Sequence, residues 1–284
     1  MMVALVFNWG YAWLVSKVAL SFATPFVLAT LRIAVAVAAM FAALVWAGRV
    51  LRPRSLKGCV VVGLLQTALF LLLNNWALAG GSTGSISILV FTMPFWVLLF
   101  AWWGLGERIA PLGWVSVGLA AVGLVALMEL PMKSAGLFSK LLAVGAGVAW
   151  GLGAVLAKRL HREVELDLLN FTFWQMVFGL IPMVLLVVVS DWPPIQWTPT
   201  FIACVLLLGI VATAVGWWQW FYVLRVLPAG VTGMSSLGVP VVAVLGAFVH
   251  FGERPSAMEA LGTVLVLCAI ALLCFDGWRR VRRA

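Results

Sequence analysis

Pro94-Phe-Trp-Val-Leu-Leu-Phe-Ala-Trp-Trp-Gly-Leu-Gly-Glu107 is followed by Arg108, and the same frame returns as Pro240-Val-Val-Ala-Val-Leu-Gly-Ala-Phe-Val-His-Phe-Gly-Glu253, followed by Arg254. The offset is 146 at both anchors (240 − 94 and 253 − 107). Working backwards without a gap, Thr67-Ala68 falls on Thr213-Ala214 and Gly84 on Gly230. Earlier still, Trp9-Gly10 with Lys17 returns as Trp150-Gly151 with Lys158, at an offset of 141 (150 − 9). A small insertion between the anchors accounts for the difference. The chain therefore reads as two similar halves, residues 1–135 and 136–284. A period this long exceeds that of solenoid repeats; in an apolar chain it reads as the internal duplication common in transporters.

Composition sets the solvent. The chain is 65% hydrophobic and 10% charged, against roughly half and a quarter in soluble domains. Residues 58–106 and 192–224 carry no charge at all, and each run is long enough for more than one span of about 20 residues. This predicts an all-α polytopic membrane protein. No signal peptide is visible, because apolar sequence begins at Met1 without a basic leader, so the first helix is expected to be retained. The net charge of +9 does not call for nucleic acid, because the cations sit in short loops between apolar spans. Cys59, Cys204, Cys268 and Cys274 have no metal-ligand spacing and read as inert thiols.

Ten transmembrane helices are expected, near 2–20, 25–47, 56–79, 84–104, 110–129, 139–159, 167–189, 200–224, 229–250 and 256–276. With both termini cytoplasmic, the inner loops and tail hold thirteen Lys and Arg, among them Arg49, Arg52, Arg54, Lys57, Arg108 and Arg279, while the outer loops hold only Lys133, Lys140 and Arg254. That bias satisfies the positive-inside rule. Five helices per half is an odd number, so the second half enters the bilayer upside down, as an inverted repeat. Lys17, near the outer end of helix 1, is expected to snorkel to the interface. Gly147 and Gly151 give helix 6 a small-xxx-small face for close approach.

Pro94 and Pro240 sit at matched places in helices 4 and 9 and remove the hydrogen bonds to Val90 and Ser236. They read either as static kinks or as symmetric hinges, with Gly238 softening the second. Glu107 and Glu253 close the same helices at opposite faces, as gate locks or simply as solvated helix ends. Arg32 is the ionisable residue well inside a span, and it reads as a ligand for a substrate carboxylate or a gate, or as a snorkelling cation. No Asp or Glu lies at mid-membrane, which favours uncoupled diffusion over a proton-driven pump. Gln66, Phe70 and Asn74 share one face of helix 3 at i, i+4, i+8. Asn8, Asn170, Gln175, Ser85, Thr92 and Ser235 add uncharged hydrogen-bonding groups. Among sixteen tryptophans, Trp46, Trp102, Trp103, Trp192, Trp197 and Trp278 sit at span ends as interface anchors. Trp9, Trp150 and Trp174 are deeper cavity candidates, and for Trp217, Trp218 and Trp220 belt and cavity compete. No hydrolytic, metal or nucleotide motif is present, so no cofactor and no ATPase partner is expected.

Two five-helix halves, each with an early Trp-Gly and a late Pro followed by Gly-Glu, resemble the EamA-type branch of the drug/metabolite transporter superfamily. The resemblance implies a central cavity lined mainly by helices 1, 3, 4, 6, 8 and 9, with alternating access in a bacterial inner membrane. The Trp-rich, carboxylate-poor interior is most similar to the YddG-type exporters of aromatic and other neutral amino acids. Carried over, this implies Trp9, Gln66, Asn74, Trp96, Trp150, Trp217 and Ser235 as cavity residues around a small-molecule substrate. Two other readings stand beside it: a carrier of lipophilic cations on the same fold, and a membrane-embedded enzyme or structural subunit, for which clustered titratable groups are missing.

Overall fold

A computed structural model describes residues 2–106, 108–128, 136–164, 167–219 and 238–281. Glu107, Ser235 and Ser236, as well as the turn predicted between helices 8 and 9, lie outside the described residues. Among the described residues the structure is entirely helical. Helix α1 is Met2–Ala19, α2 Pro25–Trp46, α3 Leu56–Gly80 and α4 the pair Thr83–Val90 and Met93–Leu105. Next come α5 Pro111–Met128, α6 Leu137–Glu163, α7 Leu168–Val189, α8 Pro199–Gln219, α9 Gly238–Phe251 and α10 Ala257–Val281. Six of these stretches, α2, α3, α4, α6, α7 and α8, are long and apolar enough to cross a membrane; the apolar parts of α1, α5, α9 and α10 are shorter. The perimeter is as greasy as the interior, with Val188 and Val189 75% and 76% exposed. A face of that kind is tolerated against lipid and not against water.

Local chemistry explains the element ends. Proline opens α2, α5 and α8 at Pro25, Pro111 and Pro199, where its missing N–H is no loss. Thr198 caps α8 and Asp167 caps α7, their side chains accepting from the N–H groups of Phe201 and Leu169. The Gly of each Gly-Glu motif has a conformational reason. Gly106 and Gly252 have φ of +66° and +64°, the left-handed turn that ends a helix and that a Cβ disfavours. At Gly252 the next N–H, of Glu253, reaches back to the carbonyl of Ala247 at 3.3 Å.

At Pro94 the helix breaks outright. The first part of α4 ends at Val90, Phe91 and Thr92 form a turn, and Pro94 lies in the first turn of the second part. This is a sharper interruption than the predicted single helix over 84–104. Pro240 is buried in the first turn of the described part of α9. Another proline, Pro182, lies inside α7.

The second unpredicted feature is a pair of π-helical stretches, Gly63–Leu69 in α3 and Leu207–Val215 in α8. Their first common positions, Gly63 and Gly209, are 146 residues apart (209 − 63), the same offset as the Pro…Gly-Glu frames. Both are places where a neighbouring backbone comes too close for a side chain. A Cβ on Gly63 would lie 2.2 Å from the Gln175 carbonyl oxygen of α7, and one on Gly209 would lie 3.0 Å from the Arg32 carbonyl oxygen of α2. The expected small face on α6 is used in the same way. A Cβ on Gly151 would sit 2.8 Å from the Trp96 Cβ, and one on Gly147 would sit 3.1 Å from the Val90 carbonyl that the break in α4 leaves free of its helix.

Candidate functional site

A cavity lies where α1, α2, α3, α4, α6, α7 and α8 converge, and encloses about 820 Å³ including its open mouth. At Gly63 α7 lies close against α3, and at Gly209 α2 lies close against α8.

Its wall is mostly apolar, and six of its nineteen lining residues are aromatic. Trp9 and Trp13 come from α1, Phe70 from α3, Phe91 from the break in α4, Trp150 from α6 and Trp217 from α8. Trp9 is fixed by its indole N–H, which donates to the Ala212 carbonyl at 2.9 Å, and it meets Trp217 edge-on at 6.4 Å between ring centres. With the N–H engaged, the ring offers an apolar surface to a guest.

Its polar groups are Ser16, Arg32, Gln66, Thr67, Asn74 and Thr213. Gln66 is 6% exposed; its amide N–H donates to the Trp150 carbonyl at 3.3 Å. Room for it exists because Gly153 lacks a side chain: a Cβ there would lie 2.4 Å from the Gln66 Cγ. Asn74, 5% exposed, lines the same wall two turns along, and its carbonyl oxygen is buried without a partner. Arg32 reaches the cavity from α2, its Nε donating to the Thr213 hydroxyl at 2.7 Å. That hydroxyl donates in turn to the Leu208 carbonyl at 2.8 Å, inside the π stretch of α8. The cavity wall contains no Asp or Glu among the described residues.

The structure thus brings together six of the expected residues: Trp9, Arg32, Gln66, Asn74, Trp150 and Trp217. Three others sit elsewhere. Trp96 is wedged between α4 and the glycine face of α6, with its N–H on the Thr92 hydroxyl at 3.2 Å and its ring stacked on Phe100. Trp174 donates to the Leu51 carbonyl, and with Asn170, which donates to Val50, it fastens α7 to the α2–α3 loop. Asn8 faces α8 behind Trp9, donating to the Val211 carbonyl at 2.8 Å and to Gln219 at 3.3 Å. In all three the polar end is spent on a partner outside the cavity, a backbone carbonyl for Asn8 and Trp174 and a hydroxyl for Trp96. Sequence reasoning missed Thr213 and Trp13. The repeat match of Thr67 with Thr213 was visible, but not that α2 would set a guanidinium beside it.

A second polar cluster stands at the α3–α4 turn. Glu253 accepts from the Thr83 hydroxyl at 3.0 Å and the Gly84 N–H at 3.2 Å. Glu259 accepts from the Ser85 hydroxyl at 2.8 Å and pairs with Lys140 at 3.2 Å. Lys17 does not snorkel away. Its ammonium donates to the Leu78 and Gly81 carbonyls at 2.9 and 2.7 Å, the open end of α3. Two carboxylates on the N-terminus of α4 and a cation on the C-terminus of α3 each complement the helix dipole they face. The cluster ties residues of α1, α6, the α9–α10 turn and the start of α10 to one hairpin.

A family model of EamA-like transporters matches residues 1–128 and again 137–275. The chain belongs to the EamA-like transporter family. It is a multi-pass membrane protein, and its relatives are transporters. It is 23% identical over 278 residues to the uncharacterized transporter YoaV of Bacillus subtilis, covering 96% of this chain and 94% of the other. It is 24% identical over 284 residues to an Escherichia coli protein named "Probable amino-acid metabolite efflux pump", covering 96% and 93%. It is 26% identical over 226 residues to a Streptantibioticus cattleyicolor protein named "Probable terminal-alkyne amino-acid exporter", covering 78% and 74%. A solved crystal structure overlays on this EamA-like transporter with a TM-score of 0.71 at 18% identity, covering 98% of this chain and 96% of the other, which speaks to the fold alone.

Proposed function

We propose that this EamA-like transporter exports amino acids, aromatic and other neutral ones, across a bacterial inner membrane by alternating access and without obligatory ion coupling. The observation that carries the reading is the cavity: aromatic walls, neutral amides and one guanidinium, with no carboxylate among its described lining residues. Aromatic faces accept a range of apolar side chains with little directional demand. The cation disfavours lipophilic cations, the principal alternative cargo, because like charges repel most where water is excluded. The names of the Escherichia coli and Streptantibioticus relatives point the same way.

In this reading the halves are five-helix repeats, residues 1–135 and 136–284, inserted in opposite senses with both termini cytoplasmic. The double match of the family model and the π stretches at the repeat offset support it. The Glu253–Glu259 cluster is then the outer gate, held closed. Its equivalent on the inner side keeps Glu107 and Lys158 but has Gly113 in place of Glu259 (259 − 146) and Val231 in place of Ser85 (85 + 146). In sequence the inner side thus lacks a counterpart of Glu259, as suits a carrier that loads from the cytoplasm. Pro94, Pro240 and Gly238 mark the hinges between gate and cavity.

Counterflow in proteoliposomes made without any ion gradient tests the function: labelled phenylalanine should accumulate against preloaded unlabelled amino acid. Uptake only under an imposed proton gradient would remove the uncoupled part. Competition by a cationic dye and none by phenylalanine would overturn the cargo. For the topology, Cys at 108 should be labelled only from the cytoplasm and Cys at 254 only from outside.

A further inference from the structure

We propose that Arg32 and Gln66 form a two-ended clamp for the charged end of a free α-amino acid, the guanidinium taking the carboxylate and the Gln66 carbonyl oxygen taking the ammonium. This rests on the amino-acid reading above and adds to it which chemical groups the substrate must carry.

Arg32 is aimed by its Nε, which is spent on Thr213. The Thr213 hydroxyl has its own proton on Leu208, so it can only accept from Arg32. The two terminal nitrogens of the guanidinium are left for another partner at the cavity wall, and no carboxylate pairs with them among the described residues. The sequence from 220 to 237 contains no Asp or Glu either. A guanidinium in such surroundings is costly without a counter-ion, and its planar fork matches a carboxylate through two parallel hydrogen bonds. The anion is supplied by the substrate.

Gln66 is aimed just as firmly. Its N–H group is committed to the Trp150 carbonyl, which settles which end of the amide is which. The carbonyl oxygen is left at the cavity wall with no donor among the described residues, on a side chain 94% buried (100 − 6). For an acceptor that faces the cavity without a donor, an ammonium, with three N–H bonds and no acceptor, is the group that fits best. Asn74, on the same wall with its side-chain oxygen unpartnered, is a second acceptor for that ammonium once its amide turns. Trp9 and Trp217 are left to receive the side chain.

Competition against labelled phenylalanine counterflow tests the clamp in the intact protein, with no substitution needed. Phenethylamine lacks the carboxylate, 3-phenylpropionate lacks the ammonium and phenylalaninamide masks the carboxylate. Each should compete at least tenfold more weakly than phenylalanine. In Arg32→Gln the preference for phenylalanine over phenethylamine should collapse to within about threefold, and Arg32→Lys should recover part of it. In Gln66→Leu the preference over 3-phenylpropionate should collapse while that over phenethylamine persists. Equal competition by phenylalaninamide in the unaltered protein, or unchanged preferences in both variants, would overturn the clamp and leave the amino-acid reading intact. No counterflow of any amino acid would sink both.

Discussion

Glu259→Gln should open the proposed outer gate. Lys140 and Glu259 are only 8% and 16% exposed at their side chains, and their charged atoms are 3.2 Å apart. Removing one member of so buried a pair takes away the other's close counter-ion, and breaking such a pair typically costs about 3–5 kcal/mol. The lower end applies here, because a glutamine oxygen still accepts from Ser85. About 3 kcal/mol is about two decades in an equilibrium constant. If the pair exists only in the outward-closed state, the whole of that factor moves the balance between states. The readout is labelling of Cys at 91, a cavity position, by a membrane-impermeant maleimide added from outside, with the native cysteines replaced. Labelling should rise steeply in Glu259→Gln. It should fall back in Lys140→Met/Glu259→Met, since a well-packed apolar pair often substitutes for a buried ion pair without loss. Unchanged outside labelling together with a lower melting temperature would refute the reasoning, because the pair would then hold the fold in every state and lock none.

Gly151→Leu should lower the melting temperature, by a loss of about 1–3 kcal/mol for overpacking, because its first carbon already meets Trp96 at 2.8 Å; a scan of thermal stability in detergent checks this. Trp174→Phe removes the indole donor to Leu51 and should cost about 1 kcal/mol of stability with the KM for amino acids unchanged, whereas Trp217→Ala should raise KM. Gly209→Val should push α2 away from α8, since its Cβ would lie 2.6 Å from Val35 and 3.0 Å from the Arg32 carbonyl. Amino-acid affinity should then drop by about tenfold, the loss expected for a displaced charge-assisted hydrogen bond, with a smaller change in the melting temperature.

Much of the site was legible because helical periodicity is a local property. Gln66, Phe70 and Asn74 fall on one face by their spacing alone, and the structure places all three on the cavity wall. Depth along a span likewise singled out Arg32, Trp9 and Trp150. Depth failed for Trp96 and Trp174, which are just as far from their span ends. A tryptophan deep in a span satisfies the same pattern whether its ring faces a cavity or a neighbouring helix, and only the partner decides. For Trp96 the partner is the glycine face of α6, and for Trp174 it is the carbonyl of Leu51. Lys17 shows the same limit: its sequence position fits an interface cation, yet the open carbonyls of α3 lie within reach of its ammonium.

Taken by itself, the sequence determined that the chain is a helical, multi-pass membrane protein whose long apolar runs carry no carboxylate and whose motifs recur at a fixed offset. These properties follow from residue type, period and offset, which need no neighbour to be read. The tertiary structure alone decided that Arg32 meets Thr213 across 181 residues of chain, that Gln66 spends its N–H on Trp150, and that α7 closes on Gly63 and α2 on Gly209. The reason is that in lipid the apolar faces of helices do not choose their neighbours, since lipid tails are as apolar as leucine. The choice falls to close backbone approach at glycine and to a few hydrogen bonds between residues far apart in the chain.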